Sequence, residues 1–149
     1  MSKSNAFETA LLQLFFQNAN VANVGDATGV RGSSAAGSLY LALHTADPGE
    51  AGDQSTNEVS YGSYARVAVA RSAGGFTVSG NNVQLVAEAA FPLGTSGAAT
   101  QNGAWVSVGT LSSGAGMILY RAQLATAIFT GSGIQPKINA GTGLSVTED

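Results

Sequence analysis

What most constrains this chain is a succession of short alternating segments that begins at Leu39 and runs to the end, each closed by Gly, Asn, Ser or Pro. In "LYLALH", Leu39, Leu41 and Leu43 alternate with Tyr40, Ala42 and His44, the period of two that gives a strand one buried face. "YARVAVAR", "FTVSG", "VQLVAEAAF", "AWVSVG", "MILYRAQL", "AIFTG", "IQPKI" and "LSVTE" continue the pattern. "GNN" at Gly80 to Asn82 and "SSGAG" at Ser112 to Gly116 are hairpin punctuation. Eight or nine short strands without a second helix or an internal repeat predict a mainly β fold. The expected architecture is an antiparallel β-sandwich, jelly-roll-like, over residues 38–149.

Residues 1–37 read differently and are expected to form a helix and an arm. "SNAFETALLQLFFQN" is interrupted by Glu8, Thr9 and Gln13 and is followed by no clear cleavage site, so it reads as an amphipathic helix rather than a secretion signal. Asn5 is the expected N-cap, with Glu8 three residues on as its capping-box partner. Phe7, Ala10, Leu11, Leu14 and Phe15 recur on one face, and the helix is read either as lying across a sheet as part of the core or as docking onto a partner chain. Leu12 and Phe16 fall outside that face and make the helix apolar on more than one side. From Asn18 to Gly37 no period is sustained, which predicts an extended loop or arm.

Composition narrows the function. Only 10% of the 149 residues are charged, against roughly 25% in an ordinary domain. A surface of small uncharged residues suits close packing against neighbours, as in an assembly component. The six basic residues are scattered and the net charge is −3, so no phosphate-binding face and no nucleic-acid partner is expected. The chain has no cysteine, which removes disulfides, thiol catalysis and thiolate metal sites. No apolar run approaches the roughly 20 residues of a membrane span, so no membrane partner is expected either.

The candidate chemistry gathers around His44, the only histidine, which is followed by Asp47, Glu50, Asp53 and Glu58. On the Tyr40/Ala42 face at a strand end, His44 is expected at a sheet edge or rim. Asp47-Pro48-Gly49 is a turn with a mechanism, since Pro presets φ, Gly tolerates positive φ and Asp bonds forward to the backbone. The spacing of the acids fits a helix–loop–helix calcium loop poorly, and there is neither a Gly-x-Ser-x-Gly elbow nor a phosphate loop. No catalytic, metal or cofactor residue is assigned, and the expectation is a non-enzyme. Tyr61, Tyr64 and Trp105 are read either as core or as contacts with a partner or glycan. With Phe7, Leu11, Leu14, Phe15 and Phe16 of the helix they make up the candidate interface.

"LYLALHTADPGEAG", "NEVSYGSYARVAV", "AEAAFPLGT" and "ILYRAQL" together resemble a family of small virion proteins of tailed bacteriophages, over Leu39 to Asp149. Members are often labelled tail fibre protein, and related small β-proteins decorate phage heads. The resemblance implies a virion structural protein without a catalytic site. Two roles follow. One is a capsid decoration (cement) protein that clamps the major capsid protein with its helix and arm, on the outer surface of the head. The other is a tail fibre or tail tip component that contacts tail proteins or a host-surface glycan. Either role suits a homo-oligomer, a dimer or trimer.

Overall fold

A computed structural model describes residues 2–141 and 145–147. The protein is mainly β, built of antiparallel sheets with one short helix, a β-sandwich-like fold. The helix is α1 (Asn5–Gln17), and the strands are β1 (Ser38–His44), β2 (Val67–Ala70), β3 (Phe76–Ser79), β4 (Asn82–Leu85), β5 (Ala89–Ala90), β6 (Thr100–Gly109), β7 (Ile118–Thr130), β8 (Lys137–Ile138) and β9 (Ser145–Thr147). They form a four-stranded sheet β2-β1-β6-β7, a three-stranded sheet β3-β4-β9 and a pair β5-β8. Contacts divide the chain into two compact units. Unit 1 comprises Met1–Ser38, Val69–Glu88 and Asn139–Asp149; unit 2 comprises Leu39–Ala68 and Ala89–Ile138.

In unit 1, α1 packs on the β3-β4 hairpin. Strand β3 turns into β4 through a two-residue loop in which Gly80 has a φ of 60°, and Ser79 faces Asn82 across the turn. The helix starts one residue earlier than expected: Ser4, in extended conformation, is the N-cap and its hydroxyl accepts from the Phe7 amide. Asn18 closes the other end in the left-handed conformation that asparagine tolerates. The buried face also differs from expectation. Leu12, Phe16 and Glu8 point inward at i, i+4, i+8, and Phe16 meets the ring of Phe76 edge-on at 5.0 Å. Burying two such side chains is worth about 1.5–3 kcal/mol each. The expected stripe is left half-buried at Leu11 and Leu14 and exposed at Phe7 and Phe15.

The segment after α1 is irregular, but it closes on itself instead of extending as an arm. Asn18 exchanges two side-chain hydrogen bonds with the Ser33 backbone, and Val21 pairs with Val30. Asp26 accepts from the amides of Thr28 and Gly29. Arg71 ties the loop to the helix, donating to the Leu14 and Phe15 carbonyls and to Ser33 Oγ. These are carbonyls with no partner inside the helix, at its negative end, where a guanidinium is favoured.

In unit 2, β1 lies inside the four-stranded sheet and pairs antiparallel with β6 from Tyr40↔Gly109 to His44↔Trp105. Leu41 and Leu43 share a face with Val108 and Val106, all fully buried. "MILYRAQL" and "AIFTG" are one strand, β7, whose ladder with β6 is broken by register shifts on either side of Gly103. "VQLVAEAAF" is two strands, β4 and β5. Leu144 and Glu148 of "LSVTE" lie outside the described residues.

Candidate functional site

The acidic turn and the histidine sit on the second face of β1, with Ala42 and His44 beside Ser107 and Trp105 in register. His44 is fully buried in the interior of the sheet, not at a rim. The reason lies in the residues that follow. The chain after His44 folds back and pairs alongside β1, with the Thr45 amide donating to the Asn57 carbonyl and the Val59 amide to the Leu43 carbonyl, and this return brings the Thr56 carbonyl onto the His44 ring. Period-two patterning assigns one face of β1 to the core and has no means of showing that a loop covers the other.

The His44 ring is fixed at both nitrogens. Nδ1 lies 2.8 Å from the Thr56 carbonyl oxygen, which can only accept, so Nδ1 carries the proton. Nε2 then accepts from the Ser107 hydroxyl at 2.8 Å. Burial holds the pKa below its ordinary value of 6.5, against the opposing pull of the Thr56 carbonyl. A neutral imidazole whose two nitrogens are occupied by a carbonyl and a serine holds three segments together and has no vacant atom to offer a substrate.

Gln54 does similar work beside it. Its amide nitrogen donates to the Tyr40 carbonyl and its oxygen accepts from the Leu111 amide. The side chain is fully buried, and a Cβ on either Gly109 or Gly116 would run into it. These two glycines of "VGTLSSGAG" therefore make room for Gln54 at the base of the β6-β7 hairpin. Arg66 secures the tip: it forks onto Glu58 at 2.7 and 2.8 Å and donates to the carbonyls of Leu111 and Gly114. Its side chain is 2% exposed. Hydrogen bonding to Glu58 raises the Arg66 pKa further.

The remaining acids are engaged within the chain. Asp47 accepts from the Gly49 amide, as the turn chemistry predicts, and from Arg121 at 2.7 Å; Glu50 takes the other arm of Arg121 at 2.8 Å. The Gly49 amide, then Arg121, hold the Asp47 carboxyl below its usual range. Asp53 caps Ser55. Among the described residues no group of three His, Asp or Glu side chains gathers as a metal site would require.

The aromatic candidates divide. Tyr61 is buried and donates to the Pro92 carbonyl. Tyr64 is half-buried, stacks on Phe91 at 6.1 Å, meets Tyr61 edge-on at 5.3 Å and donates to Glu58 while accepting from the Leu43 amide. Burial pushes its phenol pKa well up. Both hydroxyls are spent inside unit 2, so these tyrosines act as core residues. Trp105 is half-buried beside His44. Phe16 is core in unit 1.

The surfaces left for contact are apolar. In unit 1, Phe7 and Phe15 are 43% and 41% exposed, and Leu11 and Leu14 are half-buried between them. In unit 2, Leu111 and Met117 stand out at the β6-β7 turn, and Leu93 and Phe129 are exposed as well. The sequence reading missed those four. The first two could have been found, since they flank "SSGAG" where a turn should carry polar residues.

Fold and sites together define a class: a small antiparallel β structural module whose buried polar side chains serve its own backbone. Over residues 2–146 the chain matches the family described as Podophage GP4 fiber I protein gp80, and it belongs to that family. It is thus a bacteriophage virion structural protein of the fibre type. No curated protein matches it.

Proposed function

We propose that this protein is a non-enzymatic component of the phage tail fibre apparatus, carried on the virion and contributing to attachment at the host surface. The single observation that carries this reading is the match to a fibre family from residue 2 to residue 146, which takes in the helix as well as the β-strands. It favours the tail over the capsid-decoration role that the resemblance also allowed. The sequence carries no internal repeat of the kind a shaft needs, which suits a tip or collar piece. Its partners are then neighbouring tail proteins and a host-surface glycan. With Tyr61 and Tyr64 committed to the core, contact falls to the exposed apolar residues of α1 and the β6-β7 turn.

Counting copies per virion against the major capsid protein, by quantitative mass spectrometry, is the direct test. A small fixed number fits the tail. A number comparable to the capsid protein overturns the tail reading and restores the decoration role, because only the shell offers so many equivalent positions. Binding of the purified protein to host cells, and competition with phage adsorption, tests the attachment role separately.

A further inference from the structure

The His44 ring is shut in by a short strap. Ser55, Thr56 and Asn57 run between two anchors: Gln54, whose side chain bonds Tyr40 and Leu111, and Glu58, whose carboxylate is forked by Arg66. Between the anchors the strap meets the end of β1 through two carbonyls. Thr56 takes the Nδ1 proton of His44, and Asn57 takes the amide and the hydroxyl of Thr45. Asn57 turns the strap at a φ of 54°, in the left-handed region that asparagine tolerates.

We infer that this strap is an acid-operated latch: a second proton on His44, at Nε2, lifts Ser55–Asn57 off the end of β1 while the sheet beneath stays paired. The Ser107 bond requires a neutral ring, because Nε2 accepts there. A proton on Nε2 sets a donor against a hydroxyl that already donates to it, in a place where the ring is 0% and Ser107 1% exposed. The carboxylates nearby favour the charged ring and Arg66 opposes it, but both acids are already spent. Glu58 holds Arg66 and the Tyr64 hydroxyl; Asp47 holds the Gly49 amide and Arg121, which stands opposite Ser107 on β7. Glu50 takes the other arm of Arg121, Asp53 caps Ser55, and β1 and β6 contain no charged residue. The new charge is therefore relieved by solvent, and only the strap can admit it. Strand β1 lies between β2 and β6, and β6 between β1 and β7, so both walls of the sheet are tied on two sides. Opening wets the ring and a wet ring binds the proton, so the two favour each other.

The Thr45 amide, bonded to Asn57, reports the latch. In hydrogen exchange of the full chain by NMR, corrected for the intrinsic pH dependence, its opening constant should rise as pH falls below 6.5, by up to about tenfold per pH unit. It should exchange faster than the amides of the β1-β6 ladder and be indifferent to low urea, whereas the ladder amides, released by unfolding, should respond to it. The signals of the single histidine should show a folded-state ring that titrates below 6.5. His44→Gln, whose amide can donate to Thr56 and accept from Ser107, should abolish the rise at Thr45. A Thr45 amide with no such rise overturns the inference. So does one that tracks the ladder amides in urea, since acid would then act on the whole fold, or a ring that titrates at 6.5 or above. If His44→Gln fails to fold, the comparison of amides in the unaltered chain still decides.

Discussion

In unit 2 the interior is held by polar side chains with every bond assigned: His44 between Thr56 and Ser107, Gln54 between Tyr40 and Leu111, and Arg66 forked on Glu58 with two carbonyls beyond. In unit 1 the interior is mainly apolar, with Phe16 against Phe76 and Glu8 buried beside them on the helix, and Arg71 at the helix end is half-buried. A buried polar network is costly if any member is lost, because its partners stay buried without bonds; it fixes one arrangement of loop and sheet. Apolar packing fixes an arrangement less sharply, and on α1 it leaves Phe7 and Phe15 exposed.

The comparison can be broken first at Phe16. Phe16→Ala removes the ring that meets Phe76 and should cost about 3–5 kcal/mol of unfolding free energy by denaturant titration. The chain passes between the units at residues 38/39, 68/69, 88/89 and 138/139, so the loss should appear as a shift of a single transition. Two separable transitions would mean the units are stable independently.

Arg66→Lys is the matching test in unit 2. Lysine keeps the charge but lacks the fork, leaving the Leu111 and Gly114 carbonyls short of donors, and about 2 kcal/mol should be lost. A cost near zero would show that the network is not what holds the β6-β7 turn.

A smaller effect is expected from pH. The folded state holds His44 neutral, with its pKa below the unfolded value near 6.5. The unfolded chain therefore binds the extra proton first as pH falls. Stability is fully present above pH 6.5, declines below it by at most about 1.4 kcal/mol per pH unit, and levels off once the folded-state pKa is passed. Nearby Glu58, Arg66 and Asp47 also act on the ring, so the slope between pH 6.5 and 5 should be read against His44→Gln, which should flatten it. With one histidine in the chain, its ring proton signals follow the same titration directly.

Least is expected at the surface. Arg121→Ala breaks the pairs with Asp47 and Glu50, but Glu50 is 92% exposed and such pairs are screened by water and salt. Its melting temperature should not separate from that of the unaltered protein. A clear drop would show that the acidic turn helps to hold the cover over His44.

Much of this architecture was legible in the chain. Alternation placed β1, β3, β4 and β6, "GNN" marked the β3-β4 turn, and the helix ended within a residue of its expected limits. The site was less so. His44 was expected at a rim because strand periodicity describes one strand and its two faces, not what later folds over them. Tyr61 and Tyr64 stood open between core and contact until their hydroxyl partners, Pro92 and Glu58, were placed.

The sequence by itself determined most strand segments, the β3-β4 turn and that α1 is apolar on more than one side, because these follow from side-chain period and from the φ preferences of Gly, Asn and Pro. Tertiary structure alone decided which apolar face of α1 is buried. Phe7-Leu11-Phe15 and Leu12-Phe16 are both credible core stripes by spacing, and the choice rests on where Phe76 and the Gly80 turn meet the helix. That is a contact between residues some sixty or seventy positions apart, and no local pattern encodes it.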